Sequence, residues 1–253
     1  MRKIFDAHIH LDKYSETEIS NIVSEVSGLI TVSTDIDSCK RNLALAKRYP
    51  GVQAAFGYHP EQILPVEEEL KAMISLIKSR KDELVAIGEV GLPYYLRKEN
   101  NLKQTYDQYI EVIELFIRTA KETDKPIILH AVYEDASIVC DLLEKHSITK
   151  AHFHWFKGSP KIVSRLLANG YFISITPDVL YEKEISEIVE QYPPELLMTE
   201  TDGPWPFVGP FSGKMTRPSM IHATIKVLSE IKNRKLDEVY EQIYRNTKEF
   251  YIV

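Results

Sequence analysis

Six residues of types that bind metal ions each lie at the end of a short apolar, β-branched run of the sequence. Side chains alternate faces along a strand, so His8 and His10 point the same way and can bind one ion together. The other four residues can complete that site and form a second one. The six residues are His8, His10, Glu89, His130, His154 and Asp202. This set predicts a metal-dependent hydrolase.

Strand-like and helix-like stretches alternate along the 253 residues. The predicted strands are 3–7, 29–33, 52–56, 85–88, 126–129, 151–153, 171–175 and 196–199, and the predicted helices are 36–49, 66–80, 102–123, 136–146, 161–169, 182–192 and 218–232. Such alternation predicts an α/β fold with a parallel sheet, and eight repeats predict a closed (β/α)8 TIM barrel. A doubly wound open sheet is the competing fold, but it usually has a glycine-rich loop where this chain has His-x-His.

The surroundings of three ligand-type residues strengthen the prediction. Glu89 lies between glycines near the end of the fourth predicted strand, and each of its carboxylate oxygens can take one metal. Asp202 precedes a Gly-Pro turn that can hold the carboxylate above the barrel. A lone histidine such as His130 is more often a core residue, so its assignment depends on the others. Glu200 is a candidate to orient a ligand.

The remaining histidines and the cysteines carry less information. His152 and His154 form a second His-x-His pair, of which one residue is sufficient as a ligand. His146 and His222 fall on predicted helices, where packing or surface roles are expected. The two cysteines also fall on predicted helices, and we expect no disulfide and no zinc site from them.

Composition excludes some classes of protein. The net charge of −6 argues against a stable duplex-DNA surface, although it leaves a small anionic or nucleic-acid substrate open. No apolar run approaches the roughly 20 residues of a membrane helix. The N-terminal residues contain no signal-like apolar stretch, so we expect a cytoplasmic protein. The length is compatible with one barrel domain over residues 1–253, and the oligomeric state stays open.

The ligands lie within segments that resemble the TatD-like metal-dependent hydrolases, a branch of the amidohydrolase superfamily. The matching segments are 6–12, 57–60, 88–92, 129–131, 154–158 and 200–204, together with Asn246. They cover most of the chain in the family's order. The resemblance implies a distorted (β/α)8 barrel that binds one or two divalent cations at the carboxyl ends of its strands, and a deoxyribonuclease activity.

The resemblance also implies a role for each ligand. One cation would be held by His8, His10 and Asp202, the other by His130 and His154, with Glu89 as the bridge. His154 is preferred to His152 because it begins the family's His-x-Phe-x-Gly segment. Histidine-rich sites accept Zn or Mn while Mg prefers oxygen, so the sequence leaves Mg, Mn and Zn open.

Four positions depart from the family pattern around the substrate. Pro93 replaces an aspartate, Val132 an arginine, Lys157 a serine and Thr216 an asparagine. The loss of an arginine removes a bidentate phosphate anchor, for which Lys157 or Arg217 could compensate. We therefore expect the metal ligands to be complete and the substrate contacts to differ from those of the family.

The expected chemistry is hydrolysis by a hydroxide that bridges two cations. Glu89 and Asp202 are the predicted catalytic residues, with Asp202 as proton acceptor, and His59 and Lys157 are the predicted substrate contacts. A phosphodiesterase of the deoxyribonuclease type is the first hypothesis. An amidase, lactonase or ester deacylase is the alternative, and a non-catalytic metal-binding protein is the remote one. Aromatic residues near the ligands could stack on nucleobases or line the rim: Tyr58, Tyr94, Tyr95, Trp155 and Trp205.

Overall fold

The computed structural model describes residues 2–253, so Met1, with which the predicted domain begins, lies outside the described residues. Within this range, eight parallel strands pair in chain order. They are β1 (Phe5–Ile9), β2 (Gly28–Val32), β3 (Val52–Phe56), β4 (Ala86–Gly91), β5 (Ile127–His130), β6 (Ala151–Phe153), β7 (Phe172–Ile175) and β8 (Leu197–Thr199). The predicted (β/α)8 barrel is confirmed.

The seam between β1 and β8 is joined by the loop that follows β8. The Asp202 N–H donates to the His8 carbonyl at 2.9 Å, and the His10 N–H donates to the Gly203 carbonyl at 2.8 Å. These two bonds continue the barrel above the short last strand. They also place the chain around Asp202 directly beside the His-x-His segment.

Helices follow the strands and cover the barrel. Among residues 2–253 they are α1 (Glu16–Glu25), α2 (Ile36–Arg48), α3 (Glu67–Ser79), α4 (Tyr94–Lys98), α5 (Tyr106–Thr123), α6 (Tyr133–Lys145), α7 (Pro160–Ala168), α8 (Lys183–Gln191), α9 (Ile221–Ile231) and α10 (Leu236–Tyr251). All seven predicted helices are present with shifted ends, whereas α1, α4 and α10 were not predicted. The helix predicted from residue 102 begins at Tyr106, because Thr105 and Gln108 form a capping box there.

Helix α10 closes the end of the barrel that lies opposite the metal-type ligands. Its Phe250 and Tyr251 pack with Phe5, Ile30 and Ile128, whose side chains fill the barrel interior. Aromatic burial of this kind is a large stabilising contribution. The amino end of the barrel is therefore closed by packing, and the carboxyl end stays available for a site.

None of the helices formed by the described residues is both long and apolar enough to cross a membrane.

Candidate metal centre

The six predicted ligands meet at the carboxyl end of the barrel. His8 lies within β1 and Glu89 within β4, rather than just after the strands, because both strands extend further than predicted. His130 is the last residue of β5, and His154 directly follows β6. Asp202 lies in the loop after β8 in the left-handed region, with φ of 49°. These shifts of one to three residues leave all six side chains facing the barrel axis.

The first set of donor atoms is regular. His8 Nε2 lies 3.3 Å from both Glu89 Oε2 and Asp202 Oδ1, and His10 Nε2 lies 3.3 Å from the same two oxygens. Three of these atoms, His8 Nε2, Glu89 Oε2 and Asp202 Oδ1, are buried and have no hydrogen-bond partner among residues 2–253. Buried polar atoms are rarely left unpaired. Their convergence on one point is the arrangement that a bound cation satisfies.

The spacing of this donor set leaves room for one ion. The four nitrogen–oxygen distances are all 3.3 Å, so the four atoms surround one point. Imidazole nitrogens and carboxylate oxygens are ligands that divalent cations accept in proteins. The residues present therefore fit a divalent cation.

A second set of donors uses the other oxygen of Glu89. Oε1 lies 3.0 Å from His130 Nδ1 and 2.7 Å from His154 Nε2, and those two nitrogens are 3.2 Å apart. These three atoms form a compact triangle that borders the cavity. Three protein donors with an open side are typical of catalytic metal sites, which keep a position for water or substrate.

The electrostatics of the centre come from carboxylates surrounded by imidazoles. Burial raises the pKa of Glu89, but the neighbouring histidines, His59 and His154 first among them, outweigh burial and hold it well below the usual range. Burial lowers the pKa of His10, but Asp202 and Glu89 reverse that effect and raise it to about 9. The buried carboxylates are thus kept ionised, and positive charge is favoured between them.

Two further carboxylates hold the ligands in place. Glu200 Oε1 accepts from the Trp155 N–H at 2.8 Å and lies 3.5 Å from His154 Nδ1, the ring nitrogen that faces away from Glu89. Asp6 accepts from the Thr201 N–H at 3.0 Å and also from the Thr201 hydroxyl, which anchors the residue before Asp202. Such partners orient the ligands and are part of a metal site.

The segment that follows β3 brings two more residues to the centre. His59 Nε2 lies 3.2 Å from Glu89 Oε1, so the predicted substrate contact lies against the donor sets themselves. Burial lowers the pKa of His59. Glu61 Oε1 lies 3.2 Å from His130 Nε2. Glu61 was not among the predicted residues, and the sequence carries no periodic signal for it because it belongs to an irregular loop.

The other predicted substrate contact, Lys157, lies elsewhere. Its ammonium is 3.9 Å from Asp178 Oδ2 and 5.5 Å from the centre of the Trp155 ring, and it is not part of the cavity above the donor sets. The backbone of Trp155, two residues before Lys157, lies in the left-handed region with φ of 37°. Arg217 pairs with Glu25, so it does not replace the family's arginine either.

The cavity above the donor sets has a volume of about 500 Å³. Its walls carry carboxylates and aromatic rings, and among residues 2–253 no lysine or arginine lines it. Trp205 and Tyr95 are 50% and 42% exposed at its rim. The Trp155 indole donates to Asp178 Oδ2 at 2.7 Å, which fixes this ring as a rigid part of the wall. The lining residues are His59, Glu61, Glu89, Tyr95, Leu96, Glu99, His130, Val132, His154, Trp155, Asp202, Trp205 and Pro206.

The three histidines that were predicted neither as ligands nor as substrate contacts lie away from the centre. His152 is enclosed within the barrel, where its ring nitrogens lie 2.6 Å from Ser174 Oγ and 2.6 Å from the Tyr251 hydroxyl. His146 pairs with Glu114 and His222 with Tyr240. The two cysteines are buried and free. Of the second His-x-His pair, His154 and not His152 therefore lies against Glu89.

Comparison with known proteins places the chain in one family. The family model for TatD-related DNase matches residues 5–252. An uncharacterized metal-dependent hydrolase of Haemophilus influenzae is 40% identical over 252 residues, which cover 98% of this chain and 99% of the relative. Human deoxyribonuclease TATDN3 is 27% identical over 261 residues, covering 96% of this chain and 92% of the relative. The crystal structure of YJJV, a TatD homologue of Escherichia coli, superposes with a TM-score of 0.89 at 23% identity, covering 100% and 99% of the two chains. The chain belongs to the TatD-related DNase family, as its motifs predicted.

Proposed function

We propose that this protein is a divalent-metal-dependent hydrolase that cleaves phosphodiester bonds at the ends of nucleic acids or in short nucleotides. The observation that carries the proposal is the Glu89 carboxylate, whose Oε2 and Oε1 atoms face two different sets of donors. Such a bridge is what a two-cation hydrolytic site requires. One relative is named a deoxyribonuclease, which supports a phosphodiester as the bond that is cleaved.

The proposed chemistry divides between the cations and the side chains. Cations held by the two donor sets would supply positive charge to the reacting centre and lower the pKa of water there. Asp202 faces the cavity and takes the proton of the attacking water, which it returns to the leaving oxygen. His59, on the same wall, donates a hydrogen bond to a substrate oxygen. Tyr95, Trp155 and Trp205 offer faces on which a nucleobase can stack.

The charge of the cavity restricts the substrate. Glu61 and Glu99 line it, and no lysine or arginine of residues 2–253 does so. Long single strands are usually held by a groove of positive side chains that follows the phosphates. We therefore propose that the protein prefers short or small anionic substrates, with the reacting phosphate held by the cations and one base held by the aromatic rim.

The test is a substrate panel with the purified protein loaded in turn with Mg²⁺, Mn²⁺ and Zn²⁺. The panel contains a p-nitrophenyl phosphodiester, a dinucleotide, single-stranded DNA, a lactone and an N-acyl compound. We expect turnover of the diester and the dinucleotide, and a kcat/KM for long single-stranded DNA that is lower than for either of them. Turnover of the carbonyl compounds alone would reject it.

A metal-dependent amidase, lactonase or ester deacylase is the second candidate. The observation that favours it is the same acidic and aromatic wall, together with Val132 at the position of the family's arginine. Neutral substrates need no side-chain cation. The panel separates the two candidates, because the carbonyl substrates are turned over only if this one holds.

A further inference from the structure

Glu61 occupies an unusual position between the metal centre and the wall of the cavity. It lies in the loop between β3 and α3, two residues after His59. Oε1 accepts from the Tyr95 N–H at 2.9 Å, and Oε2 accepts from the Leu96 N–H at 2.8 Å. These bonds attach the carboxylate to the first turn of α4. These two backbone hydrogen bonds therefore hold the side chain in place independently of any histidine.

The fixed carboxylate determines which nitrogen of His130 keeps its proton when a cation is bound. His130 Nε2 lies 3.2 Å from Glu61 Oε1. An ionised carboxylate only accepts hydrogen bonds, so Nε2 donates to Glu61. Nδ1 is the atom that faces Glu89 Oε1 and His154 Nε2, at 3.0 Å and 3.2 Å. Glu89 is also a carboxylate, so a bound cation would take the place of a proton on Nδ1, and Glu61 leaves Nδ1 as the nitrogen that coordinates.

The backbone of the same residue determines the state of His59. The Glu61 N–H donates to His59 Nδ1 at 3.2 Å. A nitrogen that accepts a hydrogen bond carries no proton, so the proton of His59 lies on Nε2. Nε2 is the nitrogen that lies 3.2 Å from Glu89 Oε1 on the cavity wall. A protonated nitrogen cannot bind a metal, although His59, Glu89 and His130 lie close enough to form a third candidate donor group.

We propose that Glu61 is a positioning residue that presents the lone pair of His130 and the N–H of His59 to the metal centre. This inference rests on the proposed function, because it takes His130 as a ligand. Its consequence is a second site with three protein donors, Glu89, His130 and His154, and an open side. The N–H of His59 lies beside that open side. Without this proton, His59 could bind as a fourth ligand and close the site.

A purely structural role for Glu61, as a partner of the first turn of α4, makes different predictions. That role would affect folding stability and leave the tautomers and the metal affinity unchanged. The matched control is Glu99, a second carboxylate on the wall of the same cavity that accepts only from Asn101 and contacts no histidine.

The first experiment measures zinc binding by Glu61→Gln and Glu99→Gln, with metal content and competition titration as readouts. Loss of a partner that orients a ligand typically lowers metal affinity by about 10- to 100-fold. We expect that loss for the second equivalent of zinc in Glu61→Gln only, with the first equivalent and the Glu99→Gln variant like the wild type. Wild-type affinity for both equivalents in Glu61→Gln overturns the inference.

The second experiment reads the tautomers directly, by proton–nitrogen correlation spectra of the zinc-loaded protein with nitrogen-labelled histidine. His59 is expected to be protonated on Nε2 without a metal shift, and His130 to be protonated on Nε2 with a metal shift on Nδ1. Zinc on His59 Nε2 overturns the inference. If the spectra show the expected tautomers but the protein does not turn over phosphodiesters, only the proposed function is rejected. If the protein turns over phosphodiesters but the tautomers differ, only the role of Glu61 is rejected.

Discussion

Replacing Gly91 by alanine tests whether the second donor set depends on a close approach of β4 to β5. A Cβ atom at this position would lie 1.9 Å from the His130 carbonyl oxygen and 2.7 Å from its carbonyl carbon. A carbon–oxygen contact needs about 3.3 Å, so the strands must separate by about 1.4 Å. Both contacts are backbone atoms, and no rotation of a side chain can relieve them.

The loss of folding free energy in Gly91→Ala can be worked out from the contacts between β4 and β5 at this residue. Forced separation disrupts the hydrogen bond from the Leu92 N–H to the His130 carbonyl, which measures 3.0 Å and is worth about 1 kcal/mol. Overpacking adds about 1–3 kcal/mol. The sum of about 2–4 kcal/mol corresponds to a Tm lower by about 4–16 °C for a chain of this size. A shift of about 1 Å at His130 should also lower kcat by about 100-fold.

The assay combines thermal unfolding of the protein with zinc content and turnover of a small phosphodiester. Gly51→Ala is the control, because the nearest atoms to its added Cβ lie at 3.6 and 3.8 Å. That variant should keep wild-type stability within about 0.5 kcal/mol and retain both metals. A Gly91→Ala protein with wild-type Tm, zinc content and turnover would refute the reasoning from the strand contact.

Three further predictions address the centre and the cavity. Glu89→Gln should keep the fold, bind fewer than two equivalents of metal and lower kcat by at least about 1000-fold, which corresponds to about 4 kcal/mol of activation free energy. Wild-type activity and metal content in this variant would disprove the two-cation site. Removal of metal by a chelator should abolish turnover. Titration calorimetry should show tighter binding of Zn²⁺ than of Mg²⁺ because imidazole donors predominate, and a preference for Mg²⁺ would contradict the argument from donor type. Val132→Arg should raise kcat/KM on single-stranded DNA by about 10-fold or more, because it adds a charged hydrogen-bonding partner to the cavity wall. Lys157→Ala, which lies outside that wall, should change kcat/KM less than twofold, and equal effects of the two substitutions would argue against the acidic cavity as the limit on DNA cleavage.

The convergence of the six side chains could be predicted from the sequence because it depends on the strands. A parallel barrel brings the carboxyl ends of its strands to one face, and the two-residue repeat turns His8 and His10 the same way. Errors of up to three residues in the strand ends did not matter, because the face to which a side chain points does not depend on where the strand ends. Glu89 faces histidines of both groups because it lies near the carboxyl end of β4, at the same end of the barrel as they do.

What depends on loops could not be predicted in the same way. Glu61 reaches His130 only through the path of the loop after β3, and Lys157 lies in the loop after β6, near Asp178 and outside the cavity. Neither conformation follows from hydrophobic periodicity. Helix α1 is a different case, because Ser15 and Glu18 form a capping box that is visible in the sequence. The missed helix therefore had a local signal, and the missed positioning residue had none.

The charge balance of the cavity bears on which step of the reaction the site favours. Four carboxylates line it, Glu61, Glu89, Glu99 and Asp202, and no basic side chain of residues 2–253 does. Two divalent cations would offset these four negative charges, which leaves a site that is close to neutral before substrate binds. A phosphodiester adds one negative charge, whereas the phosphomonoester product carries close to two at neutral pH. In the proposed reaction the two cations would therefore offset the charge of the site but not the second negative charge of the product, which favours release of the cleaved phosphate.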